Sequence, residues 1–148
     1  MMKSEQIYKL IWMSRPLMQA AENAVELGLD GTGLTVRTRA VLEILYAEDE
    51  ATVPAIAQKL EINRQYVQLM VNETLADNLT VRCENPRHKK SAIITLTDQG
   101  RALIKDVIGR EMSLVRSMSA GLNTSEVETA LKVVTALIEK LKSNIESD

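Results

Sequence analysis

At 148 residues the chain is sized for one compact domain, or for a small domain with added helices. Its 45% apolar share excludes disorder, and the lack of Phe with only 3% aromatic residues leaves little material for stacking single-stranded nucleic acid. The formal net charge of −2 is unevenly spread: residues 51–105 carry eight Lys/Arg against five Asp/Glu, while both flanks are net acidic, which suits local docking on a polyanion and excludes a nonspecific DNA coat.

One Cys excludes an intrachain disulfide and fits a reducing compartment. No run approaches the ~18 apolar residues of a spanning helix, and no apolar export signal opens the chain. A cytoplasmic protein without membrane contact is expected.

The spacing predicts a helix over 4–27, where Ile7, Ile11, Ser14, Met18, Ala21 and Val25 step by alternating four and three. Pro16 lies inside it and predicts a bend near Met13–Pro16, or two helices meeting there. Gly28 ends the segment, and the glycine-rich stretch to Gly33 reads as a flexible connection. Thr35 is the expected N-cap of a helix over Val36–Ala47, with Ala40, Val41, Ile44 and Leu45 inward. Glu48-Asp49-Glu50 reads as a solvated turn. Thr52 caps a third helix with Pro54 in its first turn, and Ile56, Ala57 and Leu60 face in.

After a tight turn at Glu61-Ile62, Asn63 is placed to cap a helix through Asp77, with Val67, Met70, Val71 and Thr74 as its buried stripe. Asn78 can take the left-handed conformation that closes a helix. Leu79, Val81 and Cys83 alternate with Thr80, Arg82 and Glu84, a strand period. Asn85-Pro86-Arg87-His88-Lys89-Lys90 forms a basic hairpin tip, and Ser91–Leu96 returns. Thr97 caps a long helix carrying Ile104, Ile108, Val115 and Met118, which Gly121 ends. Asn123-Thr124-Ser125-Glu126 resembles a capping box and opens a last helix with Val127, Leu131, Val134, Ile138, Leu141 and Ile145.

That last stepping is a heptad seam. Both terminal helices carry apolar stripes that a module over 35–97 could not cover alone, so a homodimer of interleaved terminal helices is expected, with packing onto the chain's own domain as the alternative. The expected fold is mainly α with a small β-hairpin wing. It is a winged helix-turn-helix: a dimerisation helix and linker over 1–34, a DNA-binding lobe over 35–97, and C-terminal dimerisation helices over 98–148.

This order resembles the MarR family (multiple antibiotic resistance regulators) over nearly the whole chain. The most specific stretches are Asn78-Leu79-Thr80-Val81-Arg82, then Asn85-Pro86 with the basic tip, then Leu96-Thr97-Asp98-Gln99-Gly100. They are similar to the family's Gly-Leu-Val-x-Arg, its Asn/Asp-Pro-x-Asp-x-Arg wing and its Leu-Thr-x-x-Gly helix start. The resemblance implies a homodimeric regulator, usually a repressor released by a small ligand or an oxidant. Asn78 stands where the family has glycine, His88 where its wing has Asp, and Lys90 where it has Arg. The Asp commonly braces the wing arginine, so this wing would carry added positive charge in place of an internal ion pair.

Asn63, Arg64, Gln65, Tyr66, Gln68, Leu69 and Asn72 are the candidate major-groove residues, because Gln and Asn pair with adenine and Arg with guanine through two hydrogen bonds each. Arg82, Arg87, His88, Lys89 and Lys90 are the candidate wing contacts to phosphate or minor groove. Any single residue of the recognition helix fits a solvated helix face as well as a base contact, and the cluster argues more strongly than its members. Charge at a hairpin tip is usually just solvated, but here the tip follows a helix-turn-helix and contact is the expectation.

Cys83 reads as a strand core residue rather than an oxidant sensor; the family's peroxide-sensing branch keeps its reactive Cys in the first helix, where this chain has none. His88 and Cys83 are the only soft ligands, so neither a metal nor another cofactor is expected. Family pockets lie between the dimerisation helices and the DNA-binding lobe. Tyr8, Trp12, Arg15, Met112 and Arg116 could hold an aromatic or anionic effector there, although packing at a dimer interface accounts for Tyr8 and Trp12 as well.

The expected partners are a pseudo-palindromic double-stranded DNA and a second copy of the chain. The alternative is a winged-helix interaction module that no longer binds DNA. With one His, no Gly-rich phosphate loop and no paired carboxylates in a recognisable cleft, an enzyme is not expected.

Overall fold

Pro16 decides the first break in the chain. Its ring offers no N–H to the carbonyl four residues earlier, that of Trp12, so the helical ladder cannot continue unchanged through this point. In the computed structural model, which describes residues 1–146, α1 runs Lys3–Trp12 and α2 runs Ser14–Gly28, with Met13 between them. The remaining elements are α3 (Val36–Glu48), β1 (Glu50–Ala51), α4 (Val53–Leu60), α5 (Arg64–Ala76), β2 (Thr80–Cys83), β3 (Ile93–Leu96), α6 (Asp98–Met118) and α7 (Thr124–Glu146). None of the described helices is long and apolar enough to cross a membrane.

The chain divides into two compact units: Ala21–Met112, and Met1–Ala20 together with the chain from Ser113 on. The first of these reaches beyond 35–97 at both ends, because its core draws on both flanks. Val41, Leu45, Ile56, Val67, Met70, Val71 and Ile94 form one buried cluster. Leu29, Leu34, Leu42, Leu79, Ile104 and Val107 form a second. The segment after Gly28 is therefore a packed turn and not a loose connection: Leu29 is buried, the Thr32 hydroxyl donates to its carbonyl at 2.6 Å, and the same hydroxyl accepts from the Leu34 N–H at 3.1 Å. Helix α3 is buried on two sides. Val41 and Leu45 join the first cluster and Leu42 the second, whereas Ala40 and Ile44 are only half-buried. A single amphipathic stripe does not describe a helix held between two cores.

Short side chains set the helix starts. The Thr35, Thr52 and Asn63 side chains accept from the backbone N–H groups of Thr38, Ala55 and Tyr66, each three residues on. Glu61 turns the chain between α4 and α5 at a φ of 56°. The buried stripe of α5 is Val67, Met70, Val71 and Thr74, and the Thr74 hydroxyl meets that of Thr80 at 2.9 Å, which satisfies both buried oxygens.

The sheet is antiparallel with order β1-β3-β2, and Thr80 pairs with Leu96, Val81 with Thr95, Arg82 with Ile94 and Cys83 with Ile93. Glu50 is not in a solvated turn: it opens β1 and pairs with Thr95 on the far edge of β3. Two residues are too short to show a strand period. Cys83 is exposed and not a core residue, and Val81 is also exposed. Leu79 precedes the strand and is buried with Thr80; beyond them β2 leaves the core while β3 keeps Ile94 in it, so the alternation of β2 no longer reports burial.

The turn from α5 into β2 and the start of α6 are locked together. Asn78 takes φ 59°, and its carbonyl accepts from the Thr97 hydroxyl at 2.8 Å. The Thr97 N–H donates to the Leu79 carbonyl at 3.0 Å, and the Thr97 hydroxyl accepts from the Gly100 N–H at 3.0 Å. Gly100 lies so close to this junction that a Cβ on it would sit 2.0 Å from the Leu79 oxygen.

In the other unit, the Asn123 side chain opens α7 by accepting from the Ser125 N–H at 2.8 Å. Its seam stays uncovered: Val127, Leu131, Val134, Ile138, Leu141 and Ile145 are all exposed, as are Tyr8, Trp12, Met13, Leu17 and Met18 on α1, α2 and the turn between them.

Candidate nucleic-acid interface

The Asn63 cap fixes where α5 begins, and so which residues face outward. Arg64, Gln65, Gln68, Leu69 and Asn72 are exposed, on the side opposite the buried stripe. The Gln68 side-chain amide donates to Asn72 Oδ1 at 2.9 Å, which aligns two groups able to read base edges. Arg64 lies in the first turn, where backbone N–H groups point outward without helical partners and favour an anion.

Strand register brings part of the wing to this helix. A cleft of about 350 Å³ is lined by Arg64, Gln65 and Gln68 from α5, by Arg82 from β2, and by Lys90 and Ser91 from the hairpin. Among the described residues lining it there are three cations and no carboxylate. Of the other wing residues, Lys89 lines an adjoining hollow with Arg82, Cys83 and Pro86, and Arg87 lines another beside Glu50. His88 closes the tip, its N–H donating to the Asn85 carbonyl at 3.2 Å and its own carbonyl accepting from Ser91 at 3.3 Å. The Asn85 side chain accepts from the Arg87 N–H at 3.0 Å and so helps to hold the tip.

Tyr66 is oriented by a residue that sequence reasoning missed. Arg37, in the first turn of α3, donates to the Tyr66 hydroxyl at 3.3 Å, sits 6.0 Å from the centre of its ring, and approaches Glu73 at 3.6 Å. The Tyr66 hydroxyl, and after it the Glu73 charge, raise the Arg37 pKa above its ordinary value. A second missed arginine is Arg39. It forks onto Glu111 of α6 with two hydrogen bonds of 2.5 Å and reaches Glu43 at 2.6 Å. These bonds to Glu111 raise the Arg39 pKa while partial burial opposes them. Neither the Arg37 contacts nor the Arg39–Glu111 fork has a sequence signal, since those partners are far apart along the chain, whereas Arg39 and Glu43 stand four residues apart on one helix, a spacing that sequence alone can offer.

Of the effector candidates, Tyr8, Trp12 and Arg15 come together. The two rings meet edge-on with centres 6.3 Å apart, and the Arg15 guanidinium lies 4.6 Å from the centre of the Trp12 ring. Arg116 belongs to the same unit, near the end of α6, and Met112 to the other. Among the described residues no group of three or more His, Cys, Asp or Glu is placed to hold a metal.

No family model matches the sequence. Curated relatives, uncharacterized proteins of Mycobacterium bovis and Mycobacterium tuberculosis, are 25% identical over 92 residues, covering 62% of this chain and 64% of theirs. The chain therefore spans under two thirds of the length of these relatives. Among solved structures, a MarR family transcription regulator is 31% identical with a TM-score of 0.89, and the match covers 99% of this chain and 97% of that one. The Staphylococcus aureus MepR–DNA complex is similar in fold at 19% identity, with a TM-score of 0.79 over 88% of this chain and 96% of that one.

Proposed function

The chain belongs to the MarR family of transcription regulators, and from that premise we propose that it is a sequence-specific double-stranded DNA-binding regulator, acting in the cytoplasm as a homodimer and as a repressor. The observation that carries this reading is the single cleft in which the outward face of α5 and the wing cations Arg82 and Lys90 converge. The MepR structure, similar in fold, is a complex with DNA. Gln65, Gln68 and Asn72 would read base edges, exposed Leu69 would meet a thymine methyl, and Arg64, Arg82 and Lys90 would bind phosphates. Two such lobes in a two-fold dimer would enter successive major grooves about ten base pairs apart on a pseudo-palindromic site.

The uncovered apolar seam of α7 and the exposed side chains of α1 and α2 support the dimer, since each apolar side chain covered there contributes about 1–2 kcal/mol. Tyr8, Trp12 and Arg15 supply an aromatic surface and a guanidinium fork suited to a small aromatic carboxylate. Such an effector would act through its different affinity for two arrangements of the DNA-binding lobes.

Selecting duplex fragments from a random pool with the purified protein, then titrating binding against salt, tests the reading. We expect a split palindromic consensus and a steep salt dependence. Replacing Lys90 with Ala should flatten the slope by about one unit per lost phosphate contact, about two for the dimer, and Arg82→Ala likewise. Retention of no duplex at low ionic strength would sink the proposal, and an unchanged slope in both variants would remove the cleft from the interface.

A further inference from the structure

The outward face of α5 contains one carboxylate, Glu73, and its charge would oppose a polyanion brought against that face. Tyr66 lies about two turns toward the N-terminus on the same helix and is exposed at 40%. Arg37 reaches both from α3. Its position gains nothing from the helix that carries it: it sits in the first turn, where a cation opposes the macrodipole, and that turn contains no acidic residue to offset it. Its partners all lie on α5: the hydroxyl of Tyr66 at 3.3 Å, the face of the same ring, and the carboxylate of Glu73 at 3.6 Å.

We propose that Arg37 is a positioning residue for DNA recognition: it cancels the charge of Glu73 and holds Tyr66 in place, instead of contacting the DNA itself. This rests on the DNA-binding reading above. With Arg37 removed, Glu73 would present a bare negative charge to the approaching phosphates, and Tyr66 would lose the donor that orients its hydroxyl. With Glu73 removed as well, the electrostatic part of the loss would disappear. A direct phosphate contact by Arg37 makes the opposite prediction, because deleting Glu73 cannot replace a lost cation.

The test is a double-mutant cycle in the full-length protein, read by fluorescence anisotropy on a labelled duplex selected by the wild-type protein and on an unselected duplex of the same length. Arg37→Ala should weaken binding to the selected duplex roughly fivefold. Arg37→Ala with Glu73→Gln should return to within about twofold of wild type, with the wild-type salt slope. Arg37→Lys should retain most of the affinity, because it keeps the charge beside Glu73, and Tyr66→Phe should narrow the ratio between the two duplexes. Circular dichroism checks the fold, which surface substitutions leave intact. A double variant as weak as Arg37→Ala, with a slope lowered by about one unit per protomer, would make Arg37 a phosphate ligand and overturn the inference alone. Failure of the wild-type protein to retain any duplex would overturn this inference and the function it rests on together.

Discussion

At Gly100 the backbone of α6 comes so close to the Leu79 carbonyl that a methyl group has no room, since its neighbour there is main chain and cannot rotate away. The same carbonyl accepts from Thr97, so moving it would also break the junction that starts α6. Gly100→Ala should therefore destabilise the fold by about 1–3 kcal/mol, as overpacking does. Gly109 is the contrast. It lies in the same helix with open space around its Cα, and Gly109→Ala should stabilise by about 0.5–1 kcal/mol through helix propensity. Urea midpoints for the two variants check both signs, and equal shifts would refute the steric account. The sequence marked Gly100 through its motif with Thr97, but the motif alone gives no reason for the glycine. Asn78 was legible in advance as a residue able to close a helix, because its short amide side chain tolerates a positive φ. Cys83 is exposed although its alternation predicts a core residue, because strand alternation says which side chains share a face and not whether anything covers that face.

Among the elements, α3 and α6 are joined where sequence offers no hint. The Arg39–Glu111 fork is largely shielded, with 15% and 23% of the two side chains exposed. Removing one partner leaves a partly buried charge with less company, a more costly change than losing a surface pair. Glu111→Ala should lower stability by about 1–3 kcal/mol, and Arg110→Ala, which breaks the exposed pair with Asp106, by under about 0.5 kcal/mol. Thermal melts of both variants decide it, and a similar small shift in each would show that the fork contributes no more than a surface pair. Helix starts were legible because capping is local: Thr35, Thr52 and Asn63 each act on a backbone group three residues away. β1 was not, because a two-residue strand exists only through its partner β3.

On the scale of the whole molecule, the terminal helices present a surface that one copy does not cover. Leu131 and Ile138 lie on the seam of α7, exposed at 64% and 48%. Charges placed there would cost little in the isolated chain and much in a helix-to-helix interface. The variant with Leu131→Glu and Ile138→Glu should fall from the mass of two chains to that of one in sedimentation at micromolar concentration. Its affinity for a two-half-site duplex should drop at least about a hundredfold, because the second lobe is no longer tethered. A wild-type mass equal to a single chain would end the dimer reading, and a double variant that keeps the mass of two chains would move the interface off this seam.

The order of the helices and of the two hairpin strands, the caps, the buried stripe of α5 and the resemblance in family motifs could all be read from the chain alone, because each depends on neighbours within a few residues. What the tertiary structure decided is which distant groups meet. It placed Arg82 and Lys90 in one cleft with the recognition helix and Arg87 and Lys89 in hollows beside it, set Arg37 against Tyr66 and Glu73, and buried α3 on two sides. A hairpin's register and a helix's rotation determine those encounters, and both are settled only when the elements pack.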